Sequence, residues 1–331
     1  MLRLPRFDAV APRTIDEAVA ALARPGARLV AGGTDILPNL KHRLDRPELL
    51  VSLANVEGLD HLSRDDAAGI MRIGAGVTLA ELSEHEHITV LFPSLATAAG
   101  LVASPSIRNM GTIGGNVHLD TRCRWVNQTE FWRSAIGGCL KSEGDVCHVV
   151  AGGRNCVAAM SSDCVPVLIT LDARVVLVSP RGERQVALAE YYNTDGIAHI
   201  NKQADELMTE LHVPLPAGPR RSTYAKWTVR RSIDFPLISV ALRFDLDRDN
   251  TNAAITGARI CIGVLNAKPR LIVDDKTIVG RTLSDKATIA AVAALAHKRG
   301  KALANVPYEA PYRRKMIPIY TRRAMEALLA D

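Results

Sequence analysis

The 331-residue chain contains six cysteines, at 123, 139, 147, 156, 164 and 261, and four of them fall between Cys123 and Cys156. Thiols bunched in this way are ligands for a soft metal or partners in redox chemistry wherever the cell keeps them reduced, because cystines do not persist there. The intervals of fifteen, seven and eight residues contain no C-x-x-C pair. They match neither a zinc ribbon nor a ferredoxin-type run. Four thiolates suit a structural zinc or a [4Fe–4S] cluster, and His118 and His148 leave a Cys3His zinc site open. The residues around them, Asp120-Thr121-Arg122, Asn127-Gln128-Thr129 and Lys141-Ser142-Glu143-Gly144-Asp145, are polar and loop-forming. A connection this long needs a tie, and a bound metal would supply it.

Two glycine pairs form a second chemical signal. Arg28-Leu29-Val30-Ala31 reads as a strand that runs into Gly32-Gly33-Thr34-Asp35, with a helical stretch from Ile36 to Lys41 behind it. Strand, glycine pair and helix start let backbone N–H groups approach a phosphate, because glycine permits positive φ and has no Cβ in the way. Further along, Ala103-Ser104-Pro105-Ser106-Ile107-Arg108-Asn109-Met110-Gly111-Thr112-Ile113-Gly114-Gly115-Asn116 has the same small, hydroxyl-bearing character. Neither loop matches G-x-G-x-x-G or the P-loop, yet two such loops can clamp one diphosphate between them. No acid/base dyad, nucleophile elbow or zinc-hydrolase spacing competes with them, so no catalytic residue is assigned.

The elements that must position these groups follow from periodicity and punctuation. Helices are predicted from Thr14, as N-cap, to Ala23, over Leu79 to His85 and over Ser94 to Leu101; strands are predicted over Leu49 to Leu53, Met71 to Ala75 and Ala173 to Ser179. Apolar spacing resumes from Asp163 to Leu171. Pro214-Leu215-Pro216-Ala217-Gly218-Pro219 is the strongest linker. Beyond it, Ser222 to Arg230, Leu237 to Asp245 and Ala254 to Val264 read as β segments. Ser284 is expected to cap a helix from Asp285 to Lys298, and Tyr312 to Leu329 forms the last one.

Composition bounds the rest. The net charge is +6, but only 4% of residues are aromatic, so a stacking platform for nucleic acid is not expected. Mean hydropathy is +0.05, and no apolar run approaches the ~18 residues of a membrane span. Met1 to Asp8 shows no secretory signal, which makes the cytoplasm the expected compartment.

The glycine loops, Ser162-Asp163-x-x-Pro166, the closing Tyr312-Arg313-Arg314 and Arg322-Arg323-Ala324 stand together in an order that resembles the flavin subunit of the molybdenum hydroxylase (xanthine oxidase) family over essentially the whole chain. The passage after the second glycine loop is longer than in most members. It is similar to the insertion of the hydroxybenzoyl-CoA reductase branch, which holds a [4Fe–4S] cluster. Carried over by motif, Cys123, Cys139, Cys147 and Cys156 become its ligands, while Cys164 and Cys261 remain core residues. The first loop, with Ala31 before Gly32, follows the general family rather than that branch.

The resemblance implies an α+β chain with an FAD-binding fold of the vanillyl-alcohol oxidase/p-cresol methylhydroxylase type. Its expected parts are subdomain 1 over 1–56, subdomain 2 over 57–218 with the iron–sulfur loop 120–160 inserted, and a C-terminal α+β domain over 219–331. Leu29, Val30, Ala31, Gly32, Gly33, Thr34, Asp35 and Ile36 would hold FAD together with Gly111, Thr112, Ile113, Gly114, Gly115 and Asn116. Val102, Asp163, Met208 and Lys226 stand at further contact positions. By the same resemblance the chain is an electron-transfer subunit. A large molybdopterin subunit and a small subunit with two [2Fe–2S] clusters complete a dimer of heterotrimers, and a surface [4Fe–4S] cluster exchanges single electrons with ferredoxin or a similar carrier. The expected reaction is reductive dehydroxylation of 4-hydroxybenzoyl-CoA; the alternative is oxidative hydroxylation of another aromatic or heteroaromatic compound.

Overall fold

A computed structural model describes residues 2–330 as a mixed α/β chain built on three sheets. The first is parallel, with Leu49–Ser52 between Asp8–Val10 and Ala27–Val30. Its crossover helix, Ile15–Leu22, starts on the predicted cap. Thr14 accepts from the Glu17 N–H while the Glu17 carboxylate answers the Thr14 N–H, a reciprocal box that satisfies two otherwise orphaned donors. Ala18, Val19 and Leu22 face inward against Leu49, Val51 and Leu59. The following helix, Ile36–Lys41, sits where glycine, threonine and the apolar run predicted it.

The second sheet is antiparallel, ordered Leu62–Asp65, Ile70–Gly74, Leu207–Pro214, Arg174–Ser179, Gly182–Ala187. Its central strand, Leu207–Pro214, escapes the hydrophobic pattern because Glu210 and His212 interrupt it. Those polar groups are partnered, Glu210 by Arg72 across the sheet at 3.2 Å and by His212 of its own strand at 2.7 Å. Helices Leu79–Glu84, Pro93–Gly100 and Cys164–Thr170 cover one core with Ile113 and Val117.

The third sheet is an antiparallel meander, with strands Arg220–Trp227, Ile238–Leu246, Ile255–Gly263 and Arg270–Val273 in sequence order across it. Helices Lys286–Arg299 and Ala310–Ala330 pack on it. The first of these is capped one residue later than the sequence suggests. Asp285 accepts from the Ala287 N–H, while the Ser284 hydroxyl turns to Asn252. Arg313 of the closing motif is fully buried and donates to the carbonyls of Leu237 and Val264 and to Asn305. Burial lowers its pKa to about 10.

The cysteine-rich insertion leaves and rejoins this framework at one point. Arg122 and Ala159 exchange both backbone hydrogen bonds, at 2.8 and 2.7 Å. Within it lies a small core of its own, where Val126, Ala158 and three of the cysteines pack with Leu44, Trp125 and Val149. Arg133, on the short helix Glu130–Ala135 capped by Thr129, is 1% exposed. It donates to Ser142 Oγ and to the carbonyls of Gln128, His42 and Arg43. That one guanidinium fastens the insertion to the chain just past helix Ile36–Lys41.

Candidate functional site

The two glycine loops meet. A Cβ built on Gly32 would stand 1.7 Å from the Met110 carbonyl oxygen, and one on Gly111 would stand 3.5 Å from Thr34 Oγ1. The first loop turns through Gly33 at φ +72°, a left-handed conformation natural to glycine. The second is laid along 75–79, with Gly114 and Ile113 donating to the carbonyls of Ala75 and Val77, and Leu79 to that of Gly111. Thr112 caps the helix Ile113–Val117 by accepting from Gly115.

Among the described residues, the N–H groups of Gly32, Gly33, Thr34, Asp35 and Ile36, and that of Thr112, donate to no protein acceptor. Consecutive unspent donors of this kind form a nest for an anion. Phosphate oxygens would satisfy them, so the residues present fit the diphosphate of FAD. Gly115 is exposed and only its own turn's Thr112 hydroxyl lies within 4 Å of a built Cβ, which leaves that side open to a ligand.

Three of the four more distant candidates gather at one corner. Asn116 Oδ1 accepts from Ser162 Oγ at 2.6 Å and so joins the second loop to Asp163. Asp163 accepts from the Tyr224 hydroxyl at 2.6 Å and from Lys226 Nζ at 3.2 Å. Lys226 also donates to the Leu101 carbonyl at 2.6 Å, beside Val102, whose own carbonyl takes Arg108. Burial pushes the Asp163 carboxyl above the usual range, against the pull of Lys226 and Tyr224. Lys226 is a buried ion-pair partner and not a solvated strand residue. Met208 lies apart, 3% exposed in the core of the second sheet. Its neighbour Thr209 reaches the loop only through its carbonyl, which accepts from Ala75. Leu29 and Val30 are strand residues leading to the turn.

Cys123, Cys139, Cys147 and Cys156 line one small cavity with Trp125, Lys141 and His148. Three of them are buried and Cys147 is partly exposed. Burial, with the other three thiols close by, pushes the Cys123 thiol up to about 11. Backbone N–H groups of Trp125, Val150 and Ala158 point at Cys123, Cys147 and Cys156, the hydrogen bonds that stabilise sulfur bearing negative charge. Burial raises the Cys156 pKa, and Lys141, held close by Asp120, Thr121 and the Gly196 carbonyl, pulls against that rise.

A lone zinc would draw its sulfurs to within about 3.8 Å of one another, given Zn–S bonds near 2.3 Å in a tetrahedron. Among the described residues no three His, Cys, Asp or Glu side chains converge on a point in that way. Four cysteine side chains around one cavity are a donor set that a multi-iron cluster would take. His118 is no ligand: its ring bonds the Gly114 carbonyl and the Tyr191 hydroxyl, both at 2.8 Å. His148 Nε2 donates to the Gly138 carbonyl at 2.6 Å, and its ring stacks on Trp125. Cys164 and Cys261 are fully buried in the core, their thiols pushed well up by burial.

Sequence reasoning missed Arg122. It pairs with Asp35 of the first glycine loop and lies 3.9 Å over the Phe235 ring of the third-sheet domain. Only its position beside Cys123 hinted at a role.

Residues 5–216 match the FAD binding domain in molybdopterin dehydrogenase, and residues 223–328 match the CO dehydrogenase flavoprotein C-terminal domain. The aldehyde oxidoreductase FAD-binding subunit PaoB of Escherichia coli (strain K12) is 34% identical over 235 residues, 68% of this chain and 73% of that protein. The nicotinate dehydrogenase FAD-subunit of Eubacterium barkeri is 29% identical over 264 residues, 78% and 75% of the two chains. Reconstituted CO dehydrogenase from Oligotropha carboxidovorans contains a chain that superposes with TM-score 0.78 at 26% identity, covering 99% of both. Among the described residues no helix is long and apolar enough to cross a membrane.

Proposed function

Because the chain belongs to the molybdopterin dehydrogenase family through its FAD-binding domain, we propose that it is the flavin-carrying electron-transfer subunit of an oxidative molybdenum enzyme. The observation that carries this is the nest of unspent N–H groups where the two glycine loops meet. The relatives named above act in the oxidative direction, as aldehyde oxidoreductase, nicotinate dehydrogenase and CO dehydrogenase. They support an aldehyde or a nitrogen heteroaromatic as the substrate class, oxidised on a large molybdopterin subunit and relayed by a small [2Fe–2S] subunit. A dimer of such heterotrimers, a cytoplasmic setting and a flavin fold of the vanillyl-alcohol oxidase type belong to the same reading.

FAD, when bound, supplies the exchange between paired and single electrons. The residues of this chain do the rest. Gly32 to Ile36 and Thr112 offer N–H donors to the diphosphate, and Gly115 leaves the approach free. Asp163, Tyr224 and Lys226 brace the loop end that carries Val102. Cys123, Cys139, Cys147 and Cys156 would hold a [4Fe–4S] cluster, with backbone N–H groups and Lys141 offsetting its negative charge.

The cysteine cavity also favours a second reading, the reductive one. There the cluster accepts single electrons from a ferredoxin-like donor for dehydroxylation of 4-hydroxybenzoyl-CoA. Anaerobic purification, a visible spectrum before and after dithionite, and assay of iron, sulfide, zinc and FAD test the cofactor set. About four iron, four sulfide and one FAD per chain are expected, and Cys139→Ser should lose the iron and sulfide while binding FAD supplied in excess. A colourless chain that takes up no FAD sinks the proposal. In the complete complex, bleaching of the flavin by an aldehyde or a heteroaromatic supports oxidation; turnover of 4-hydroxybenzoyl-CoA with a one-electron donor supports reduction.

A further inference from the structure

Three parts of the molecule meet on Arg122. Its backbone closes the neck of the insertion against Ala159, and the next residue is Cys123. Its guanidinium pairs with Asp35, whose own N–H belongs to the diphosphate nest, and covers Phe235. Asp35 has few other partners: Asn39 Nδ2 at 3.1 Å and the Asp120 N–H, which again comes from the neck. Burial raises the Asp35 pKa, and Arg122 and the Asp120 N–H pull against that rise; Arg122 is the cation paired with this carboxylate. Arg122 Nε is buried and, among the described residues, has no partner.

The geometry points to Arg122 as a positioning residue that makes occupancy of the flavin cradle and occupancy of the four-cysteine cavity mutually dependent. The inference rests on the cluster reading given above. With the cavity filled, Cys123 is anchored, Arg122 is held over Phe235, and Asp35 is drawn into the conformation that aims the Gly32–Ile36 N–H groups. With the cavity empty, the neck loosens and Asp35 loses its counter-charge. Linkage is reciprocal for binding, so FAD must tighten the cluster by the factor by which the cluster tightens FAD.

The test uses the full chain, purified anaerobically, with FAD affinity read from quenching of flavin fluorescence. It is compared between iron-loaded protein and protein stripped with ferricyanide and EDTA. Stripping should weaken FAD binding of the native chain at least fivefold, the lower end of ordinary coupling between sites. In Arg122→Ala and Arg122→Gln the two affinities should coincide. Arg122→Lys, which returns a charge to Asp35, should recover part of the dependence and serves if the other variants fold poorly. An iron dependence that persists undiminished in Arg122→Ala or Arg122→Gln overturns the proposal, as does its absence from the native chain with iron and sulfide bound. A chain that cannot be loaded with iron at all overturns the cluster reading and this inference with it.

Discussion

Replacing Gly32 by alanine tests the cradle most directly. The new methyl carbon would lie 1.7 Å from the Met110 carbonyl oxygen, 2.4 Å from its carbon and 3.1 Å from the Gly111 nitrogen. All three are backbone atoms of the opposing loop, so no side chain can rotate away. Real contacts of this kind hardly ever fall below 3.0 Å, and the loops must therefore part by about 1.3 Å, against an overpacking cost of about 1–3 kcal/mol. A hydrogen bond of ~2.9 Å displaced that far is no longer one. Charge-assisted bonds contribute about 1.5–3 kcal/mol each, so losing two weakens FAD binding by about 3–6 kcal/mol, or roughly a hundredfold or more. FAD titration by fluorescence quenching, with the 450 nm absorbance of the purified chain, reads this out. Gly218→Ala, where nothing lies within 4 Å of the added methyl, is the control and should bind FAD as the native chain does. If Gly32→Ala bound FAD with native affinity, the two loops would not jointly form the diphosphate site.

Three further outcomes follow from the same geometry. Lys226→Met leaves Asp163 buried with only Tyr224 beside it, and should lower stability by about 3–5 kcal/mol in a denaturant titration; a loss under 1 kcal/mol would show that the pair is not the brace described. Arg133→Met strips four acceptors of their donor and should cost about 3 kcal/mol, with limited proteolysis first cutting inside 120–160; cleavage elsewhere would refute the stapling role. Burial lowers the His118 pKa from 6.5 to about 4, so the ring stays neutral in the fold while the unfolded chain takes up a proton below pH 6.5. Its contribution is therefore complete above pH 6.5 and declines by about 3 kcal/mol as the pH falls to 4; His118→Gln should flatten that part of the stability curve, and an unchanged curve would assign the loss to other groups.

The local signals that the sequence carries well are those whose physics is local. Thr14 with Glu17, the paired glycines ahead of Ile36, and the alternation over Ile238–Leu246 declare their elements without help from distant residues. The central strand Leu207–Pro214 does not, because Glu210 and His212 are admitted by pairing with each other and with Arg72 across the sheet. Ser284, the cap expected from the sequence, instead gives its hydroxyl to Asn252, and Asp285 caps the helix. The site divides in the same way. Four cysteines within one stretch are visible at once, as are two glycine loops. That the loops touch through Gly32 and Met110, that Tyr224 and Lys226 converge on Asp163, and that Arg122 reaches Asp35 are products of packing between segments some sixty to ninety residues apart, which no one-dimensional pattern records.

The neck formed by Arg122 and Ala159 has a consequence for how such a segment is acquired. The two residues form an antiparallel pair, and paired strands stand only about 5 Å apart, a gap that a two-residue turn can close. The chain between them can thus be excised and rejoined at that pair without crossing any strand of the three sheets. Conversely, a flavin chain lacking the segment need only present such a pair at its surface to accept it. A segment fitted this way is a transplantable accessory, one that can be added or discarded by a single recombination at one turn.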